Sequence, residues 1–263
     1  MQIPIENVET RFFENIYTQT INETARFYNY DLGRGRKILE SEEECVQYLV
    51  VYGGMHYHKL ISAFRSTQFE NIAGRNIEII DWGSGIATAS CILIDYLIEK
   101  NIVLNVEKIT LIEPSTYATQ KGCELLRSIF QENQNVRNII KVVNKNLDDL
   151  TLDDFETNSD TIKVHLFSNI IDVQGINLRH LHSVLTNCFQ GTNRIICISP
   201  FNDETDRIRL DEFNGLFANE NPKNIVESSV TIINKVFITM SWEFQNRRIS
   251  RYEKQFTINL TPL

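Results

Sequence analysis

Ile77-Glu78-Ile79-Ile80-Asp81-Trp82-Gly83-Ser84-Gly85-Ile86-Ala87-Thr88-Ala89 reads as a short apolar run, an acidic residue, two glycines separated by one residue, and the start of an amphipathic segment. This is the pattern of a strand that ends in a tight turn and runs into a helix. Glycines in such a turn remove the side chains that would keep a ligand away from the backbone, and the helix that follows points free N–H groups at the same place. The turn therefore predicts a binding site for a nucleoside-containing ligand. Glu113 closes the next apolar run, Ile109-Thr110-Leu111-Ile112, and strengthens that expectation. A carboxylate only accepts hydrogen bonds and takes two donors at once, which suits the diol of a ribose. The reading requires the Glu113 carboxylate and the Asp81 turn to meet in space.

Working outward from this turn, apolar strands alternate with amphipathic helices, the signature of a mostly parallel sheet. Strands are predicted over 77–81, 108–113, 139–143, 162–167 and 194–199. Helices are predicted over 86–100, 116–132, 178–189 and 207–217. The last two extended runs, 230–242 and 249–260, have no helix between them and predict an antiparallel hairpin connected by 243–248. Residues 1–75 read as a helical cap and 76–263 as the sheet domain. In the cap, Val8, Phe12, Phe13 and Ile16 recur at helical spacing. Ser41 with Glu44 resembles a capping box that opens a helix, and Gly53-Gly54 is expected to break it before a second helix over 55–69.

The chain has 263 residues with a 42% hydrophobic share, which suits a folded α/β protein. Its net charge of −8, from 26 basic and 34 acidic residues, disfavours a general nucleic-acid binder. Two basic clusters, Arg34-Gly35-Arg36-Lys37 and Arg247-Arg248 with Arg251 and Lys254, are read as solvated. No apolar run reaches the roughly 20 residues of a membrane span, and no secretory signal is seen at the start. The five cysteines are scattered without a CxxC pair, which argues for a reducing, cytoplasmic setting and against a zinc site. The pairs His56/His58 and His180/His182 fall in predicted helices, where residues two apart do not face each other, so no metal site is expected.

Two ligand classes use a strand–glycine-turn–helix. A dinucleotide fingerprint places a small residue five positions after the first glycine for close helix packing; here that position is Thr88, which fits poorly. The turn of the S-adenosylmethionine binders, acidic-x-G-x-G-x-G, reads here Asp81-Trp82-Gly83-Ser84-Gly85-Ile86-Ala87, with alanine at the third glycine, tolerable if that residue is already helical. On these residues the chain resembles the class I S-adenosylmethionine-dependent methyltransferases over roughly residues 75–260. The resemblance implies a Rossmann-like, doubly wound, mostly parallel seven-stranded sheet whose last strands form an antiparallel hairpin.

It also implies a set of cofactor-binding residues. Asp81 would stand near the methionine amino group, while Trp82, Gly83, Ser84 and Gly85 form the turn beneath the cofactor. Glu113 would hold the ribose, with Pro114 beside it. Asp148, or the adjacent Asn146 and Leu147, would stand at the adenine edge, and Ser168 and Asn169 would face the cofactor. Asp172 would lie near the substrate as the candidate catalytic residue, or else cap the next helix. A fainter similarity to methyltransferase-like proteins of the small ribosomal subunit rests on the Asp-Trp-Gly-Ser-Gly turn and the Leu-Ile-Glu-Pro-Ser strand end.

The function expected is methyl transfer from S-adenosylmethionine to a small-molecule or protein acceptor, with a nucleic acid disfavoured and no membrane partner. The alternatives are a catalytically silent S-adenosylmethionine sensor or partner subunit, an RNA- or ribosome-associated methyltransferase, and a nicotinamide oxidoreductase. Oligomeric state and acceptor are not legible.

Overall fold

The computed structural model describes residues 3–4, 8, 10–24, 30–131, 136–201 and 204–261, with the side chains of Arg34 and Asp206 left undescribed. The strands are β1 (Asn76–Trp82), β2 (Asn105–Ile112), β3 (Ile140–Val143), β4 (Ile162–Ser168), β5 (Gly191–Pro200), β6 (Lys223–Ile238) and β7 (Glu243–Leu260). They lie side by side in the order β3-β2-β1-β4-β5-β7-β6, parallel except for β7, which runs against both β5 and β6. Chain order reverses between β1 and β4, so the crevice outside their carboxyl ends is the place where an open sheet binds ligands. The central strands are buried along nearly their whole length, as strands covered on both faces by helices must be.

The helices are α1 (Thr18–Glu23), α2 (Glu42–Phe64), α3 (Thr88–Glu99), α4 (Thr116–Ile129), a single turn α5 (Val136–Ile139), α6 (Leu178–Cys188) and α7 (Glu204–Leu216). Two apolar cores lie on opposite faces of the sheet. One gathers Leu49 and Phe64 of α2, Ile92 and Leu97 of α3, and Ile77, Ile79 and Val164 from the strands. The other gathers Trp82, Phe167, Phe189, Phe213 and Phe256.

The N-terminal part departs from the sequence reading in three ways. Ile3–Pro4 is not helical but adds a two-residue antiparallel strand beside Asn105 and Val106 of β2. Phe12–Tyr17 is a wider, π-type turn before α1, and its Phe12 and Phe13 amides donate to the buried Asp95 carboxylate of α3 at 2.8 and 3.1 Å. Gly53-Gly54 does not break a helix. A β-carbon at Gly53 would stand 2.9 Å from the Tyr17 ring, and one at Gly54 would stand 2.7 Å from its hydroxyl. The glycines are the groove that receives Tyr17, and α2 runs through them for 23 residues.

Only half of the capping box forms at the start of α2. Ser41 Oγ accepts the Glu44 amide at 3.2 Å, while the Glu44 carboxylate takes the amide of Glu40 and the Lys37 ammonium instead of the Ser41 amide.

The hairpin is longer than the sequence indicates, with its reversal at 239–242. The first half of β7 pairs with β6 alone, beyond the end of β5, so the ribbon leaves the sheet and lies against α2. There the Lys235 carbonyl accepts from His58 Nε2 at 3.0 Å, and Phe237 joins the α2-side core. Two members of the basic cluster are not solvated. Arg251 is buried on Glu253 and Ser62, and Lys254 is held by Asp211 and Glu227.

Candidate cofactor and acceptor site

A cavity of about 850 Å³ opens at the carboxyl ends of the strands, between the sheet and α2. Its walls contain Gly83 and Gly85 after β1, Glu113 and Pro114 after β2, Leu147 and Asp148 after β3, and Ser168, Asn169 and Asp172 after β4. The topology brings these separate segments together because parallel strands all end on one side of the sheet.

The glycine turn is built on backbone that a side chain would strain. Gly83 and Gly85 have φ of +63° and +51°. A β-carbon at Gly83 would lie 2.8 Å from the Ile170 side chain, whereas at Gly85 it would meet no atom within 4 Å and would enter the cavity. The Glu113 carboxylate closes the turn from the side. Its Oε2 accepts the Gly85 amide at 3.1 Å and its Oε1 accepts the Ser115 amide at 3.1 Å. Burial raises the Glu113 carboxyl above its ordinary value, and these two amides pull it back down. Each oxygen keeps one lone pair for a further donor.

Three of the residues expected at the ligand are not on the cavity wall. Asp81 is buried behind the turn, where its Oδ2 accepts the Ser90 amide at 3.1 Å and the Ser90 hydroxyl at 2.7 Å. Its role is to tie β1 to the first turn of α3, and burial lifts its carboxyl to about 7. Trp82 alternates to the opposite face of the sheet, stacks on Phe167 at 5.2 Å, and donates its indole N–H to His165 Nδ1 at 3.1 Å. Ser84 is buried under the turn, with its amide on the Ile112 carbonyl. Ala87, in place of the third glycine, is not helical. It precedes α3 with φ +59° and ψ 27°, a left-handed conformation that alanine adopts at some cost.

Asp172 does not cap α6, whose cap is Asn177 accepting the His180 amide at 3.1 Å. Its oxygens are taken by Ser199 Oγ at 2.8 Å and by the Arg36 guanidinium at 3.2 Å. Asp148 accepts the Asn177 amide at 2.9 Å, which ties the loop after β3 to the start of α6. Asn169 sits at φ +57°, a region asparagine tolerates, with its amide on the Ile198 carbonyl.

The sequence reading did not single out Arg36, Lys37, Leu39, Tyr48 or Lys59 as cavity residues. Arg36, Lys37 and Leu39 line the cavity together with Tyr48, His56 and Lys59. Lys59 donates to Asn169 Oδ1, and Asn169 Nδ2 stands 3.2 Å from His56 Nε2. The signal was present: residues 48, 52, 55, 56 and 59 repeat at helical spacing, and a lysine closes that stripe beside the apolar Leu60 and Ile61.

No family model and no curated protein matches the chain. Solved structures of similar chain trace include a precorrin-6y C5,15-methyltransferase from Geobacter metallireducens, at TM-score 0.47 and 11% identity over 75% of this chain and 87% of that one. The YcgJ protein from Bacillus subtilis is similar at TM-score 0.46 and 11% identity, over 79% and 100%. A geranyl diphosphate methyltransferase bound to geranyl diphosphate and sinefungin is similar at TM-score 0.43 and 10% identity, over 95% of each chain.

Strand order and the direction of β7 decide the architecture on their own. The fold is Rossmann-like: a doubly wound, mostly parallel sheet with a C-terminal antiparallel hairpin. In such a fold the crevice between β1 and β4 is where the cavity lies here, so the site is placed by topology before any side chain is considered. Among the described residues no helix is long and apolar enough to cross a membrane.

Proposed function

We propose that the chain is an S-adenosylmethionine-dependent methyltransferase whose acceptor is a small molecule or a protein. The observation that carries this reading is the Glu113 carboxylate fixed on the Gly85 amide, with two lone pairs left for a sugar diol. The donor set fits that cofactor. Glu113, Asp148 and Asp149 make this end of the cavity acidic, which suits hydroxyl and ammonium donors and opposes a pyrophosphate. The place a pyrophosphate would take, the N-terminus of α3, already holds the Asp81 carboxylate on the Ser90 amide. This argues against the nicotinamide alternative.

S-adenosylmethionine, when bound, supplies an electrophilic methyl group on a sulfonium. What this chain supplies is placement. Gly83 and Gly85 let the turn approach the cofactor closely, Glu113 fixes the sugar, and Leu147 offers an apolar contact at the far end of the sugar. The loop carrying Arg36 and the helix carrying His56 and Lys59 form the opposite wall. Orientation of this kind can lower a barrier by roughly 7–11 kcal/mol without a strong acid or base. The acidic net charge of −8 favours a small-molecule or protein acceptor over a nucleic acid. Titration calorimetry with S-adenosylhomocysteine, followed by a search for methylated product in cell extract, tests the reading. No binding would remove it, and binding without product would convert it to a sensor.

A further inference from the structure

Lys59 is the least ordinary residue in the cavity wall. It is 4% exposed, and its amine rests on the side-chain oxygen of Asn169. Asn169 follows β4, and the next residue, Ile170, packs against Gly83; Lys59 and the glycine turn line the same cavity. A buried lysine is ordinarily neutralised by a carboxylate. Here Asp172 is bonded to Arg36 and Ser199, and Glu253 is bonded to Arg251.

The groups around Lys59 do not favour an ammonium. Burial weighs most, Asp172 opposes it, and Arg251 adds to it, so the amine is pushed down to about 7. His56, one turn earlier on α2, is held neutral near 3 by burial and adds no charge of its own. Asn169 can accept one N–H from a neutral amine while its own amide donates to His56 Nε2, and the amine lone pair is then left for the cavity. A neutral amine also tolerates a neighbouring sulfonium, which an ammonium would repel.

We propose that Lys59 is the proton acceptor of the methyl transfer, and that the methyl acceptor is therefore a hydroxyl or amine compound whose O–H or N–H must lose its proton. The inference rests on the methyl-transfer reading. In the step, a lone pair of the acceptor oxygen or nitrogen forms the bond to the methyl carbon. The carbon–sulfur bond breaks with its electrons left on sulfur as a neutral thioether. The acceptor's proton passes to the Lys59 amine, which becomes an ammonium held by Asn169 and drawn toward Asp172.

The test uses the full chain and its Lys59→Met and Lys59→Arg variants. Calorimetry with S-adenosylhomocysteine comes first, and wild type and Lys59→Met should bind alike, within about threefold. Wild type saturated with S-adenosylhomocysteine is then acetylated with acetic anhydride across pH 6–11, and Lys59 is read by peptide mass spectrometry. Its reactivity should rise with a midpoint near neutrality. A midpoint at the ordinary lysine value of about 10.4 overturns the proposal without any activity measurement. Finally, transfer of a radiolabelled methyl group into cell extract is followed against pH. The wild-type rate should rise over the same pH span as the labelling. Lys59→Met should lose about 100-fold or more, the usual contribution of a general base, and Lys59→Arg should not restore it because a guanidinium stays protonated. Transfer by Lys59→Met within threefold of wild type, or no transfer by a wild type that binds S-adenosylhomocysteine, overturns the proposal alone. Failure of wild type to bind S-adenosylhomocysteine overturns the methyl-transfer reading beneath it.

Discussion

Glu113 accepts the amide proton of Gly85 at 3.1 Å, so the ends of β1 and β2 are joined by a side chain where the sheet itself has stopped. That bond fixes the turn and aims the carboxylate into the cavity. At Gly85 the backbone has φ +51° and open space where a β-carbon would go. Gly85→Ala is expected to cost about 1–2 kcal/mol of stability through the left-handed conformation. It also places a methyl group in the ligand's path, and S-adenosylhomocysteine affinity should fall by about tenfold or more. Calorimetry and a thermal melt separate the two effects. Unchanged affinity would put the ligand away from this turn.

A glycine-to-alanine change inside a helix is ordinarily stabilising by about 1 kcal/mol. At Gly53 the sign should reverse, because the new methyl would lie 2.9 Å from the Tyr17 ring. Gly53→Ala is expected to destabilise by about 1–3 kcal/mol, the usual cost of overpacking. Denaturant unfolding reads this directly, and pairing the change with Tyr17→Ala should recover part of the loss. A stabilised single variant would mean that Tyr17 does not occupy the groove.

Gly122 of α4 faces the same question at the turn. A β-carbon there would lie 2.9 Å from the Ala87 β-carbon and 3.1 Å from the Ile86 backbone carbon. Backbone cannot swing aside, so Gly122→Ala should destabilise by about 1–3 kcal/mol. Ala87→Gly should be neutral or stabilising, since it relieves a left-handed alanine. Opposite results for the two variants in equilibrium unfolding would contradict the packing described.

Much of this arrangement was readable from residues alone, and the rest was not, for physical reasons. The period-two and apolar runs located β1 to β5 to within a few residues, because buried parallel strands are continuous apolar segments. The hairpin was seen but cut short: the missed stretches 223–229 and 243–248 carry the charged residues Lys223, Glu227, Glu243, Arg247 and Arg248, which break the apolar pattern. The glycine turn, Glu113 and Asn169 do line the cavity, and they were legible because turn chemistry is local. Asp81 and Trp82 do not line the cavity, because Ser90 takes up the Asp81 carboxylate and Phe167 stacks on Trp82, contacts with residues on other elements that the strand pattern does not show. Gly53-Gly54 read as a break because nothing in the sequence says that Tyr17 fills the space. Lys59 went unnoticed because its partner, Asn169, is far along the chain.

The Asp81 carboxyl makes a pH prediction. Its folded value, about 7, lies above the ordinary 3.8, so the folded state holds a proton that the unfolded state has lost between those limits. Its contribution to stability therefore falls as pH rises from about 4 to about 7. Asp81→Asn keeps an acceptor for Ser90 and removes the titration. The variant should lose less stability than wild type between pH 4 and pH 7. Buried histidines such as His165, held neutral near 3, act in the opposite direction but are common to both proteins. Parallel pH profiles for the two would contradict the assignment.

Glu113 is the residue on which recognition of an adenosine cofactor's sugar depends. Titration calorimetry of S-adenosylhomocysteine into wild type and Glu113→Ala, at neutral pH and fixed salt, measures this most directly. Removing a charged acceptor for two hydroxyl donors should cost about 1.5–3 kcal/mol per bond, a loss of roughly 100-fold or more. Wild type should bind and Glu113→Ala should bind far more weakly while keeping its fold. Equal binding by the two proteins, or none by wild type, would contradict the account.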